Sequence, residues 1–328
     1  MPDLADSIDA ALEWSIFGSF TRIGSCVRRR LDHWTPLDAD LRGRVIVLTG
    51  ATSGLGLAAA RAFVRMGATL EIIARDPAKA ARTCTDLRQI PGASAVTALT
   101  ADMGDLAAIR RVAAELLARH SKIHALIHNA GALDDVRHES PQGVEQTVAS
   151  QLVGPALLTD LLLPALRAAA PSRVLWVTSG GMYSEPLAVA QLDPAGAEYN
   201  GVTAYARAKR AQIALVQLDA ERLRADRIVV HAMHPGWADT PGVARSLPRF
   251  RRLLSPLLRT PEDAADTLIW LTVDDDRVMG TSGRLWLDRR PRPLHRLART
   301  RRADTPEERA HLRQWLDEKH RLAADTIS

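Results

Sequence analysis

From Arg44 onward the chain alternates short apolar runs with longer stretches in which apolar positions recur every three or four residues. The first run, Arg44-Val45-Ile46-Val47-Leu48, is β-branched and too short for a buried helix, so it predicts a strand. Runs of the same kind follow at 69–74, 95–100, 125–128, 173–178, 228–233 and 283–287. Between them the helical period predicts helices over 57–66, 77–87, 106–119, 143–169 and 205–224, with another opening at Thr260. Strands alternating with helices over short links predict an α/β fold, a single Rossmann-type doubly wound parallel sheet carrying amino- and carboxyl-terminal helical extensions.

Those extensions are residues 1–42 and 288–328, flanking a sheet domain over 43–287. In the first, Leu4, Ile8, Leu12, Ile16, Phe20, Ile23, Val27, Leu31 and Trp34 form one helical stripe, with Gly18 and Gly24 as places to bend. The stripe is suited to packing on the sheet domain, to a twin subunit in a homo-oligomer, or to a membrane surface with Arg28, Arg29 and Arg30 at lipid phosphates, a peripheral contact through residues 4–34. Thr260-Pro261-Glu262-Asp263 and Thr305-Pro306-Glu307-Glu308 each combine a capping hydroxyl, a first-turn proline and an acid, so a tail helix is expected over 307–322.

Composition narrows the class. Of 328 residues, 46% are hydrophobic and 25% charged, which excludes a disordered or collagenous chain. Cys26 and Cys84 stand apart without metal-ligand spacing, no apolar run was long enough to suggest a membrane span, and the start MPDLADSIDA lacks a signal peptide's bases. A cytoplasmic protein, with membrane association left open, is expected. The net charge of +5 draws on Arg289, Arg290, Arg292, Arg296, Arg299, Arg301 and Arg302. No aromatic residues interleave with them, so a solvated surface is expected rather than a nucleic-acid site.

Thr49-Gly50-Ala51-Thr52-Ser53-Gly54-Leu55-Gly56 joins a strand to a helix, the context in which glycines bring backbone N–H groups against a pyrophosphate. At the end of the second strand an acid would hold the ribose hydroxyls of NAD; here Arg75 stands there, favouring the 2′-phosphate of NADP, with Asp76 beside it weakening that preference and keeping NAD in view. Tyr205 and Lys209 are four apart on a predicted helix and share a face, so a lysine cation can lower the tyrosine pKa for proton transfer. Ser179 ends a strand at the carboxyl edge of the sheet, placed to hydrogen-bond a carbonyl oxygen. His231 and His234 would point to opposite faces of their strand, and no metal site is expected.

The glycine loop, Asp102, His128-Asn129-Ala130-Gly131, Ser179, Tyr205 with Lys209, and Pro235-Gly236 follow one another in the order of the short-chain dehydrogenase/reductase family, which the chain resembles over 43–287. Within it, Gly180-Gly181-Met182, Tyr205 to Lys209 and the run 234–243 look most like the dehydrogenase/reductase SDR family member 12 subgroup, from which no substrate follows. The resemblance implies an NAD(P)-dependent oxidoreductase with Tyr205 as general acid and base, Lys209 holding the nicotinamide ribose, and Ser179 orienting the substrate. It implies that Gly50, Thr52, Ser53, Gly54, Leu55 and Gly56 hold the phosphates, and that Asp102 and Met103 border the adenine. Asn129, Ala130 and Gly131, then Pro235, Gly236, Trp237 and Thr240, would line the rest of the cofactor site.

The chain departs from the family where His128 replaces a first asparagine and where Gln151 replaces a water-binding asparagine of the proton relay. Met182, Tyr183, Leu187 and Tyr199 are expected to wall a pocket, and 248–258 to cover it as a lid, which suits a lipophilic carbonyl or alcohol. The alternative is a catalytically weak cofactor-binding regulator or scaffold of the same fold.

Overall fold

A computed structural model describes residues 4–193, 199–246 and 248–325. Eight strands form one sheet: β1 (Val45–Thr49), β2 (Thr69–Ala74), β3 (Val96–Thr100), β4 (Ala125–His128), β5 (Ser172–Val177), β6 (Ile228–Met233), β7 (Leu285–Leu287) and β8 (Arg290–Arg292). Their order is β3-β2-β1-β4-β5-β6-β7-β8, parallel except for β8, which returns antiparallel to β7. Strand order reverses between β1 and β4, so a crevice opens at their carboxyl ends, where such sheets bind ligands.

Both faces are covered. Helices Leu106–Arg119, Gly154–Ala168 and Gly201–Arg222 share one apolar core with one face of the sheet, and Gly54–Arg65, Pro77–Arg88 and Pro261–Val273 share a second core with the other. The tail helix Pro306–Asp325 starts on the expected Thr305 cap, whose Oγ1 accepts from Glu308 N at 3.2 Å. It is anchored by the fully buried Leu312 and Leu316, each contributing roughly 2–3 kcal/mol.

Three departures from the expected elements have local causes. The helix expected over 205–224 begins a turn earlier, because Asn200 Oδ1 accepts from Thr203 N at 2.9 Å and caps it. The helix expected over 143–169 begins at Gln146 and widens into a π-turn over Ala149–Val153. There Gly154 lets the Met103 carbonyl approach where a β-carbon would overlap it. The whole run Gln146–Ala168 is long and apolar enough to cross a membrane, contrary to expectation, but 78% of its most apolar window is buried, as in a core helix. β8 was not foreseen; Asp288 and Arg289 form its turn with φ near +54°, a conformation the pattern of side chains does not announce.

The amino-terminal stripe corrects the reading most. It forms three helices, Leu4–Trp14, Ile16–Phe20 and Arg22–Leu31, broken at Ser15 and Thr21 rather than at the glycines. Of its members Leu4, Ile16 and Ile23 are exposed, Ile8, Leu12, Val27, Leu31 and Trp34 are half-buried, and Phe20 is buried. What it buries is polar, chiefly Asp9, Ser19, Thr21, Ser25 and Arg28. Arg28 donates to Asp9 at 2.6 Å and to Asp288 at 2.7 Å, and Arg259 holds the other oxygen of Asp288 at 2.5 Å. Arg292 joins Asp9 at 2.7 Å, Arg290 joins Asp32, and Arg296 pairs with Glu13. Thus Arg289, Arg290, Arg292 and Arg296 are ion-paired, Arg289 with Asp266, and do not form the free basic surface expected of them.

Candidate active site

The glycine loop leaves β1 with Gly50 at φ +71° and Gly54 at φ +53°, and both face the crevice. A β-carbon at Gly50 would stand 2.8 Å from Ala130 Cα, and one at Gly56 would overlap the Gly50 carbonyl and the Asn129 amide. Asn129 Nδ2 donates to the carbonyls of Thr49 and Gly50 at 3.0 Å each, while Thr49 Oγ1 accepts from the N–H groups of Asn129 and Ala130. These bonds tie the end of β4 to the loop and open a groove of about 410 Å³.

Gly50, Thr52, Ser53, Gly54, Leu55 and Gly56 line that groove on one side. Asn129, Ala130, Gly131 and Thr240 line it elsewhere, and Arg75, Asp102 and Met103 close its far end. Arg75 is largely exposed, its Nη1 3.8 Å from Asp102 Oδ2. Asp102 is held by the Gly104 N–H at 2.8 Å and Gln146 Nε2 at 3.1 Å. Asp76 is used as a helix cap: its carboxylate accepts from Lys79 N at 3.0 Å, which holds its pKa below the usual carboxylate range. Lys79 therefore faces the groove beside Arg75. Sequence reasoning missed it, although a lysine in the first turn after a strand end is the available signal.

Ser179, Tyr205 and Lys209 meet where β5 ends against the helix Gly201–Arg222. Ser179, whose Oγ accepts from Gly181 N at 3.3 Å, stands beside Tyr205, and Lys209 Nζ lies 5.3 Å from the centre of the tyrosine ring. Lys209 is 2% exposed and donates to the Val177 carbonyl at 3.0 Å. Burial raises the Tyr205 pKa, with the neighbouring Ser179 hydroxyl acting against it, and burial brings Lys209 down to about 7. The expected lowering of the tyrosine by a lysine cation is therefore not what the protein alone provides; desolvation favours the neutral form of both groups.

Gln151 sits in the π-turn, its Nε2 donating to the Ala132 carbonyl at 2.5 Å. Its Oε1 is buried without a hydrogen-bond partner among the described residues. A β-carbon at Gly131 would lie 2.9 Å from that oxygen and 3.6 Å from Lys209 Nζ, so the missing side chain leaves the two groups facing a common space. His128 lies below this level, bonded to Thr159 Oγ1 at 2.8 Å and pushed by burial to a pKa of about 3, hence a neutral core residue.

Pro235, Gly236 and Trp237 do not line the groove. Gly236, at φ +70°, passes Arg259, and Trp237 sits among aromatics, its ring 5.1 Å from Phe17 and 5.2 Å from Phe250 in edge contacts. Phe20 and His234 meet in an edge contact behind it, ring centres 4.6 Å apart. His234 is fully buried, with both ring nitrogens unpartnered and its pKa driven far down by burial and Arg259. Met182, Tyr183 and Leu187, expected to wall a pocket, are buried in the core instead, Tyr183 donating to the Pro293 carbonyl at 2.8 Å. Tyr199 bonds Glu145 at 3.0 Å.

The sequence pattern of the short chain dehydrogenase family matches residues 44–249. Human dehydrogenase/reductase SDR family member 12 is 33% identical over 261 residues, 79% of this chain and 81% of its own. Mouse polyprenol dehydrogenase is 32% identical over 274 residues, 80% of each chain. A solved structure from Mycobacterium paratuberculosis superimposes with a TM-score of 0.69 at 25% identity, covering 88% of this chain and 97% of that one.

Proposed function

The chain belongs to the short chain dehydrogenase family and is an oxidoreductase, and from that premise we propose that it interconverts a carbonyl and an alcohol on a lipophilic substrate with NADP(H). The observation that carries the reading is the contact of Ser179 with Tyr205 beside Lys209, at the edge of a glycine-lined groove. The groove fits a dinucleotide, since Gly50 and Gly56 clear backbone where a β-carbon would collide, and the helix opening at Gly54 turns its N–H donors toward it. Arg75 and Lys79 at its far end favour a 2′-phosphate over a free hydroxyl. Bound there, the cofactor supplies or accepts the hydride.

The chain's own residues handle the proton. With its pKa raised by burial, Tyr205 holds its proton at neutral pH and can deliver it to a carbonyl oxygen as that oxygen gains charge. Ser179 donates a second hydrogen bond to the same oxygen. Lys209 stabilises the tyrosinate that remains, and Gln151 Oε1, facing the same space, offers an acceptor for a resupplying water.

The lipophilic class is supported by the aromatic edge of Phe17, Trp237 and Phe250 beside the site and by the polyprenol dehydrogenase relative. Trp14, Phe17 and Leu253, 90%, 58% and 80% exposed, support a contact with a lipid surface. Two unpaired thiols, Cys26 and Cys84, support a reducing cytoplasm. Fluorescence titration with NADPH and NADH, and a panel of aldehydes, ketones, sterols and retinoids with Tyr205→Phe as control, test the reading. Turnover at least about 100-fold lower in Tyr205→Phe is expected; a wild-type protein that binds NADPH and turns over nothing would favour a regulator. Co-sedimentation with anionic vesicles, reduced in Trp14→Ser, tests the membrane contact; self-association without sedimentation would assign the same surface to a second copy.

A further inference from the structure

Among the described residues 4–34, Phe20 alone joins the apolar core. Its two ends touch two different loops. The ring lies against Gly180, where a β-carbon would overlap Cε2. Its carbonyl accepts from Trp237 N at 2.8 Å and from Arg259 Nε at 3.0 Å. A β-carbon at Gly236 would come within 2.5 Å of that carbonyl. Two glycines, one in each loop, thus make room for one residue of the extension.

Ser179 is extended, at φ −146° and ψ 152°, so its side chain and the place a β-carbon would take on Gly180 lie on opposite sides of the chain. Ser179 turns toward Tyr205, and the other side of the same peptide rests on the Phe20 ring. The backbone under Phe20 is itself fixed: the Ser19 carbonyl accepts from Arg259 Nη2 at 2.8 Å and from Arg28 Nη1 at 3.2 Å, and both arginines are held by Asp288.

We propose that Phe20 is a positioning residue of the active site, a clamp by which the amino-terminal extension holds the Ser179–Gly180 loop and the Pro235–Trp237 loop in register with Tyr205. The role in turnover rests on the oxidoreductase reading above; the clamp itself does not. In this arrangement Phe20 itself supplies no group to the substrate. It limits how far Ser179 can move from the tyrosine, and a misplacement of order 1 Å is enough to cost a large factor in rate.

The test uses the full-length protein in four forms, Phe20→Ala, Phe20→Leu, Gly180→Ala and the double variant Gly180→Ala/Phe20→Leu. Hydrogen exchange and urea midpoints are measured beside kinetics on a carbonyl that the wild type reduces. In Phe20→Ala, exchange is expected to rise over 179–184 and 235–238 with little change elsewhere. Its kcat should fall about tenfold, while KM and the NADPH Kd stay within about threefold. Gly180→Ala should lose a similar factor, since its methyl meets the ring. The double variant should recover several-fold over Gly180→Ala, because the smaller side chain yields room.

Unchanged exchange in both loops would overturn the clamp, as would a double variant no better than the product of the singles. If Phe20→Ala does not fold, Phe20→Leu and the double variant decide the matter. A wild type silent on every carbonyl would end the oxidoreductase reading, while the exchange data would still decide the clamp.

Discussion

Asp288 joins the amino-terminal extension to the sheet domain through one buried charge. Its side chain is 2% exposed and its carboxylate takes three bonds, from Arg28 Nη1 at 2.7 Å, Arg259 Nη1 at 2.5 Å and Arg259 Nη2 at 2.9 Å. Asp288→Asn tests it cleanly, because asparagine tolerates the left-handed backbone there and keeps the volume. The substitution leaves two buried guanidiniums facing one acceptor oxygen and an amide that donates into them. Removing one partner of a buried pair costs about 3–5 kcal/mol, and the retained oxygen sets the expectation near the lower end, about 3 kcal/mol. With a urea slope of about 3 kcal/mol per M for a chain of this size, the midpoint should fall by about 1 M at pH 7.

The sign with pH is fixed by the same contacts. Burial alone would raise the Asp288 pKa, but Arg259 and Arg28 hold it below the ordinary 3.8. Its contribution is therefore complete above pH 3.8 and is lost as pH falls through the lower folded value. The gap between wild type and variant should be constant from neutral pH down to about 4 and close below that. A gap under about 1 kcal/mol at pH 7, or one that persists unchanged in stronger acid, would refute the assignment of charge to this site.

Other expectations follow from the crevice. Arg75→Ala should weaken NADPH about tenfold and NADH hardly at all, read by fluorescence titration, with Lys79→Ala showing a smaller loss in the same direction; equal losses for both nucleotides would sink the phosphate assignment. Gly56→Ala should weaken both nucleotides by at least about tenfold, since its methyl overlaps the Gly50 carbonyl and the Asn129 amide. Lys209 titrates near 7 in the fold against an ordinary 10.5, so the unfolded chain holds more protons in between and stability should rise from pH 7 to about 9. Lys209→Met should flatten that rise in urea midpoints, and an identical slope in both proteins would show that the lysine is not desolvated.

What was legible in the sequence was what local pattern encodes. β2, β4, β6 and the helix Leu106–Arg119 fall where alternation and period put them, and the cap at Thr260 is a side-chain to backbone bond within four residues. The groove residues were legible because the glycine loop and its strand-to-helix context are contiguous. The misread parts depend on partners far along the chain. The stripe from Leu4 to Trp34 has helical spacing, yet its inward face is chosen by Asp288, Arg259 and Arg292, so charge rather than apolarity decides which residues are buried. Met182 and Leu187 carry the composition of a pocket wall but fill core. The π-turn at Ala149–Val153 leaves no trace in a periodicity that differs from an α-helix by one residue.

The ion cluster around Asp288 also bears on how the chain is made. Arg28 and Asp288 are separated by 260 residues. At roughly 5–20 residues per second, a ribosome needs about 13–50 s to deliver the second after the first. Throughout that interval Arg28 lacks this carboxylate, and Phe20 lacks the second of the two loops it packs against until residues 235–237 are made. The helices of residues 4–31 are therefore among the last elements to be fixed, and a chain that stops short of Asp288 has most of the sheet's strands but no carboxylate for Arg28 and Arg259 to close on.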